Sequence, residues 1–196
     1  MKKLPRLPAL LMFTLLFQAL AGLVNGAEPL AVGTAAPAVK ATNQDGKTVD
    51  LGDVYKKGYV LVYFYPKAFT PGCTTEACTL RDAFADLTKL DVTVLGVSHD
   101  TADQQKKFKE QYKLPFDLLA DPAGNLYQAF GVPGLGNRQS FLVKAGKIVW
   151  RDLKAVPDQQ AIAVKKFIED DKAKAAPAAK PPASAAPASA SGSASK

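Results

Sequence analysis

The chain holds two cysteines, Cys73 and Cys78, and both fall in the segment Tyr63-Phe64-Tyr65-Pro66-Lys67-Ala68-Phe69-Thr70-Pro71-Gly72-Cys73-Thr74-Thr75-Glu76-Ala77-Cys78. An apolar, β-prone run over residues 60–65 stops at Pro66, and a helical pattern starts near Thr74. Cys73 therefore stands at a helix start, where backbone N–H groups lack intrahelical partners and the macrodipole presents its positive end. That place favours negative charge on the sulfur and makes it a nucleophile. Gly72 allows the backbone close approach, and Pro66 and Pro71 stiffen the loop. Two tasks are open to the Thr70 hydroxyl: capping the helix, or hydrogen-bonding a bound substrate oxygen together with the sulfur. The plain alternative for two cysteines in an exported chain is a structural disulfide. A metal site is a poor fit, because zinc usually takes four ligands and His99 is the single histidine. His99 reads as a strand-end surface residue and Trp150 as packing.

The elements that must position this segment follow from periodicity and turn signals. Between residues 28 and 171 strands alternate with helices, which predicts an α/β layer architecture. Strands over 38–41 and 48–51 flank Asn43-Gln44-Asp45-Gly46 and form an N-terminal β-hairpin. The buried strand at 60–65 leads to a helix over 74–87, with Ala77, Leu80, Phe84 and Leu87 on one face. A second buried strand spans 92–98. A charged helix capped by Asp100 or Thr101 runs to about residue 112, and strand 116–119 precedes a short helix at 125–130. A hairpin of 140–143 with 148–151 and a helix over 158–168 close the domain. This order predicts a thioredoxin-like fold, a central mixed sheet flanked by helices. Arg138 falls just before the second hairpin; taken alone it reads as a surface ion-pair residue.

The net charge of +7 over 196 residues invites a nucleic-acid partner. Its distribution argues otherwise. Lys2, Lys3, Arg6, Lys172, Lys174, Lys180 and Lys196 carry the excess, and residues 28–171 are formally neutral. No basic stripe alternates with aromatic residues, so a nucleic-acid function is not expected. Lys2, Lys3 and Arg6 precede an uncharged apolar stretch over 10–21, the pattern of a signal peptide over residues 1–27. Cleavage is expected after Ala27, with Ala21 as the other candidate, and the destination is the periplasm. Left uncleaved, the segment would be a membrane anchor, a reading weakened by Pro8, Gln18, Gly22, Asn25 and Gly26. The folded domain is then 28–171. Residues 172–196, made mainly of Ala, Pro, Ser and Lys, read as a disordered tail.

The residues around Cys73 also bring a family into view. Pro66-x-x-x-Thr70-x-x-Cys73 matches the peroxiredoxin active-site pattern, and Thr70-Pro71-Gly72-Cys73-Thr74-Thr75-Glu76 resembles its PrxQ, or bacterioferritin comigratory protein, branch. The resemblance covers about residues 30–170 and extends to Gly96-Val97-Ser98-His99-Asp100; Ala68 and Phe69 depart from it, standing where polar residues are more usual. It implies a peroxidatic role for Cys73, a peroxide-orienting role for Thr70, and a charge-stabilising role for Arg138, positioned by Glu76. It further implies that hydrogen peroxide or an organic hydroperoxide oxidises Cys73 to a sulfenic acid. Cys78 resolves this to an intramolecular disulfide, which a thioredoxin-like thiol donor reopens, in a monomer without cofactor or metal. No nucleotide-binding glycine loop is present, in keeping with the absence of a cofactor. On an unbroken helix, residues five apart have Cα atoms roughly 8.6 Å from each other and point about 140° apart. A disulfide needs less than about 7 Å, so the first helical turns must unwind before the bond closes. The same geometry makes a permanent staple a poor alternative. Two competing readings remain: a disulfide oxidoreductase, which would be expected to carry Cys-x-x-Cys, and a non-catalytic envelope-binding protein that uses its tail.

Overall fold

Every residue of strand β3 (Tyr59–Phe64) is buried, because the strand runs through the middle of a sheet covered on both faces. Side chains alternate across it. Tyr59, Leu61, Tyr63 and, just beyond the strand, Tyr65 point into one core with Cys73, Ala77, Leu80 and Phe108. Val60, Val62 and Phe64 point into the other with Leu95, Phe130 and Phe141. A continuous apolar run therefore serves two cores at once.

The computed structural model describes residues 28–134 and 136–175. The remaining elements are β1 (Lys40–Asn43), β2 (Thr48–Asp50), α1 (Leu51–Val54), α2 (Pro71–Asp82), α3 (Phe84–Lys89), β4 (Val92–Ser98), α4 (Ala102–Tyr112), β5 (Asp117–Ala120), α5 (Asn125–Phe130), β6 (Gln139–Lys144), β7 (Lys147–Asp152) and α6 (Gln160–Ala175). The seven strands form one sheet in the order β2-β1-β5-β4-β3-β6-β7. β3 and β5 flank β4 in parallel, whereas β6 runs antiparallel to β3, with Tyr63 opposite Ser140 and Phe64 opposite Gln139. The sheet is mixed, and helices flank it, as the alternation predicts.

Most element ends shift by up to about three residues from the periodicity reading, and four differences have a visible local cause. The helix expected over 74–87 is two helices: the backbone shifts at Ala83, at φ −86° and ψ −3°, and α3 then seats Leu87 in the core with Val92 and Val94. Helix α1 is an addition, too short for a periodic signal, started by the Asp50 carboxylate accepting from Gly52 N–H at 2.9 Å. Thr101 alone caps α4, through a reciprocal capping box with Gln104. Helix α6 runs seven residues past Ile168, to Ala175, because its last turns are tied to the sheet. Tyr59 donates to Asp171 at 2.5 Å, Lys144 donates to the same carboxylate at 2.7 Å, and Lys172 donates to Leu90 C=O at 3.0 Å. The signal segment lies outside the described residues; of the tail expected over 172–196, residues 172–175 belong instead to α6, and the rest lies outside the described residues.

Candidate active site

Strand β3 ends at Phe64, and the chain turns through Tyr65 and Pro66 into α2. Thr70 is the N-cap in extended conformation, Pro71 occupies the first helical position, and Cys73 falls within the first turn. The N–H groups of Gly72 and Cys73 thus have no intrahelical acceptor, and proline at the first position loses nothing by lacking one. The Cys73 sulfur is buried, its residue 1% exposed, among the apolar side chains of the first core.

Sheet topology brings the cation. β6 pairs antiparallel with β3, so the residue just before Gln139 stands beside the end of β3, next to the start of α2. That residue is Arg138. Its Nη2 donates to Cys73 Sγ at 3.3 Å, across 65 residues of sequence, and its Nη1 donates to Glu76 Oε2. Glu76 is fully buried, one helical turn along from Cys73 on the same side of α2. Burial pushes its carboxyl up to about 8, against the pull of the Arg138 guanidinium; its Oε1 is buried without a partner. Burial likewise holds the Tyr63 hydroxyl well above its ordinary range. A side chain on Gly72 would put its Cβ 3.3 Å from Arg138 Nη2 and 3.8 Å from Pro157 Cγ, so glycine there leaves room for the guanidinium.

Cys73, Gly72, Glu76 and Arg138 meet, and Pro66 and Thr70 frame the loop above them. The Thr70 hydroxyl forms no cap bond; it donates to Lys67 C=O at 2.9 Å and closes a small turn within the loop. Cys78 is half-buried further along the unbroken α2, and both sulfurs are free thiols. His99 stands one residue past the end of β4 and is partly exposed; its ring stacks on Tyr127 at 4.0 Å, and Nδ1 lies 3.0 Å from Asp121 C=O. Trp150 is half-buried against Phe167, at 6.4 Å between ring centroids. Among the described residues, no group of three or more His, Cys, Asp and Glu side chains is placed to hold a metal ion.

The periodicity reading missed a buried polar group behind the loop. Tyr65 donates to Gln105 Oε1, Gln105 donates to Ser98 at 2.8 Å, and Asp100 accepts from both Ser98 and the Ala68 N–H at 2.7 Å. The available signal was the polar tip of Tyr65 in an otherwise apolar run, which demands a partner when buried.

An arginine and a buried sulfur joined at a helix start can stabilise a thiolate and the charge on an oxygen leaving it. The AhpC/TSA family pattern matches residues 32–151, more than half of the chain. The chain belongs to the AhpC/TSA family. This peroxiredoxin is 41% identical over 136 residues to peroxiredoxin Bcp of Bacillus subtilis, covering 63% of this chain and 86% of the relative. It is 44% identical over 131 residues to peroxiredoxin Bcp of Escherichia coli K12, covering 61% and 83%. Its fold is similar to that of peroxidoxin BcpB from Mycobacterium tuberculosis, with a TM-score of 0.69 and 27% identity over 72% of this chain and 97% of the other. The Xanthomonas campestris bacterioferritin comigratory protein, studied for alkyl peroxide reduction, gives 0.65 and 26% over 72% and 99%. The thioredoxin-like architecture expected from the order of elements and the Bcp/PrxQ kinship expected from residues 66–76 both hold for this peroxiredoxin.

Proposed function

We propose that this thiol peroxidase works through Cys73, and that the guanidinium of Arg138, 3.3 Å from the sulfur, is the observation that carries the assignment. The Cys73 thiolate attacks one oxygen of a hydroperoxide in line with the O–O bond; that bond breaks, the sulfur becomes a sulfenic acid, and the departing oxygen takes a proton to leave as water or an alcohol. Arg138, with the free N–H groups of the first turn of α2, stabilises the charge that develops on the leaving oxygen. Thr70 orients the peroxide, and Glu76 holds Arg138 in place. Cys78 then condenses with the sulfenic acid, releasing water and forming an intramolecular disulfide, and two thiols of a thioredoxin-like donor return it to the reduced state. Hydrogen peroxide and organic hydroperoxides are both substrates; the alkyl peroxide activity of the Xanthomonas protein supports the second class.

The test is stopped-flow mixing of the reduced protein with hydrogen peroxide, read through the fluorescence of Trp150, which packs against the core that holds Cys73. A fast phase whose rate rises linearly with peroxide is expected, and its disappearance in Cys73→Ser. A Cys73→Ser protein that kept most of its turnover would sink the assignment. In Cys78→Ser the first phase should persist while turnover with a thioredoxin donor falls. We further propose that the chain is exported to the periplasm on its first 27 residues, which cell fractionation would check, and that it acts there as a monomer.

A further inference from the structure

The loop Pro66–Thr70 sets where α2 begins and hence where Cys73 stands. Phe69 adopts a left-handed conformation at φ 65°, which a bulky side chain enters only when its surroundings hold it. Thr70 bonds back onto Lys67 within the same loop. Two contacts tie this loop to the interior: the Phe69 ring packs edge-on against buried Phe108 at 5.2 Å, and the Ala68 N–H donates to Asp100 Oδ2 at 2.7 Å. Asp100 is only 6% exposed. The same carboxylate oxygen accepts from Ser98 Oγ at 2.7 Å, and Ser98 Oγ accepts from Asp100 N–H at 3.2 Å and from Gln105 Nε2 at 2.8 Å. Gln105 Nε2 also reaches Leu119 C=O on β5, at 3.2 Å, while Gln105 Oε1 accepts from Tyr65. From the other face, Tyr127 donates to Tyr65 C=O at 2.8 Å. The segment from Tyr65 to Ala68 is thus held by Asp100 between β4 and α4, Gln105 of α4 and Tyr127 of α5, with Ser98 of β4 and Leu119 of β5 behind them.

We infer that Asp100 is a positioning residue for the peroxidase reaction: through the Ala68 N–H it fixes the Pro66–Thr70 loop, so that Thr70 and the first turn of α2 present Cys73 to peroxide in a preorganised geometry. The inference rests on the peroxidase reading above. Its energetic logic is that of preorganisation, where misplacing a reacting group by about 1 Å can cost up to about 100-fold in rate. The hydrogen bond from Ala68 lies before Pro71, the first residue of α2, so the grip acts on the loop and leaves the turns between Cys73 and Cys78 free to unwind. Attack on peroxide should therefore depend on Asp100 far more than closure of the disulfide does.

Stopped-flow kinetics separate the two steps. Asp100→Ala removes the acceptor of the Ala68 N–H and should lower the second-order constant for peroxide about tenfold, while the first-order closure of the disulfide changes less than about twofold. Asp100→Asn keeps an oxygen that accepts from both Ala68 and Ser98, and should recover most of that loss. Should Asp100→Ala fail to fold, Ser98→Ala, which takes the support from behind the carboxylate, should slow the peroxide step in the same sense. Three results overturn the inference: a peroxide constant for Asp100→Ala within twofold of wild type, an Asn variant as slow as the Ala variant, or both steps slowing in parallel. With Asp100→Ala unfolded, a Ser98→Ala protein as fast as wild type does the same. Wild-type protein lacking any peroxide-dependent phase would instead remove the peroxidase reading itself.

Discussion

A single guanidinium, that of Arg138, faces two acidic groups, the Cys73 sulfur and the Glu76 carboxyl. Burial disfavours the charged carboxylate, and it pushes Glu76 from an ordinary 4.5 up to about 8. Between those values the folded protein retains a proton that the unfolded chain has released. The contribution of Glu76 to stability is therefore whole below about 4.5 and is lost as pH rises through about 8. Glu76→Gln has no such titration, so wild type should lose stability relative to this variant between about pH 5 and pH 8.5. Urea melts across that range check it; a gap between the two proteins that stayed constant with pH would contradict the raised carboxyl. Cys73 and Gly72 were legible from local sequence, because a strand stop, prolines and a helix start surround them. Asp100 was not: next to Thr101 it looks like another helix cap, and only the fold turns its carboxylate inward to Ala68.

Helix α2 is continuous from Pro71 to Asp82, which keeps Cys73 and Cys78 roughly 8.6 Å apart at Cα by helical geometry. Closing a bond between them requires its first turns to open. Hydrogen exchange over residues 72–82 should be faster in the oxidised protein than in the reduced one, and equal protection in both states would refute the unwinding step. Arg81 marks where opening should end, since it ties the far end of α2 to Tyr112 C=O on α4 at 2.9 Å. The β6–β7 turn offers a prediction about stability alone. Ala145 and Gly146 lie at φ 49° and 74°, the two positive values of a turn that favours Asn-Gly. Ala145→Asn should stabilise the protein by about 0.5–1 kcal/mol, measurable by chemical denaturation. The hairpin itself was readable from its Gly-containing break; the helix break at Ala83 was not, since the apolar spacing continues across it.

At the scale of the whole molecule, α6 is fastened to the sheet by Tyr59, Lys144 and Asp171. Tyr59 is buried, but Lys144 and Asp171 are only partly so, so the ion pair contributes about 1 kcal/mol. Asp171→Ala should lower Tm by about 2–4 °C, read by calorimetry, with the peroxide rate little altered because the cluster lies at the opposite end of β3 from Cys73. A protein with unchanged Tm would show that the fastening contributes nothing. Charge is also distributed at this scale: residues 28–171 are formally neutral, and the net +7 is carried by residues outside that span.

The sequence by itself determined the nucleophile candidate, the family pattern around it and the alternation of strands and helices, because each is written in neighbouring residues: a buried run, its stop at Pro66, and a cysteine at the first turn of a helix. Tertiary structure alone decided what stands beside the sulfur. Arg138 reaches Cys73 because β6 pairs antiparallel with β3 in a register that puts Gln139 opposite Phe64, and the Ala68 grip exists because β4, α4 and β5 converge behind one loop. Such meetings depend on strand register and packing between segments far apart in the chain, which local spacing does not encode.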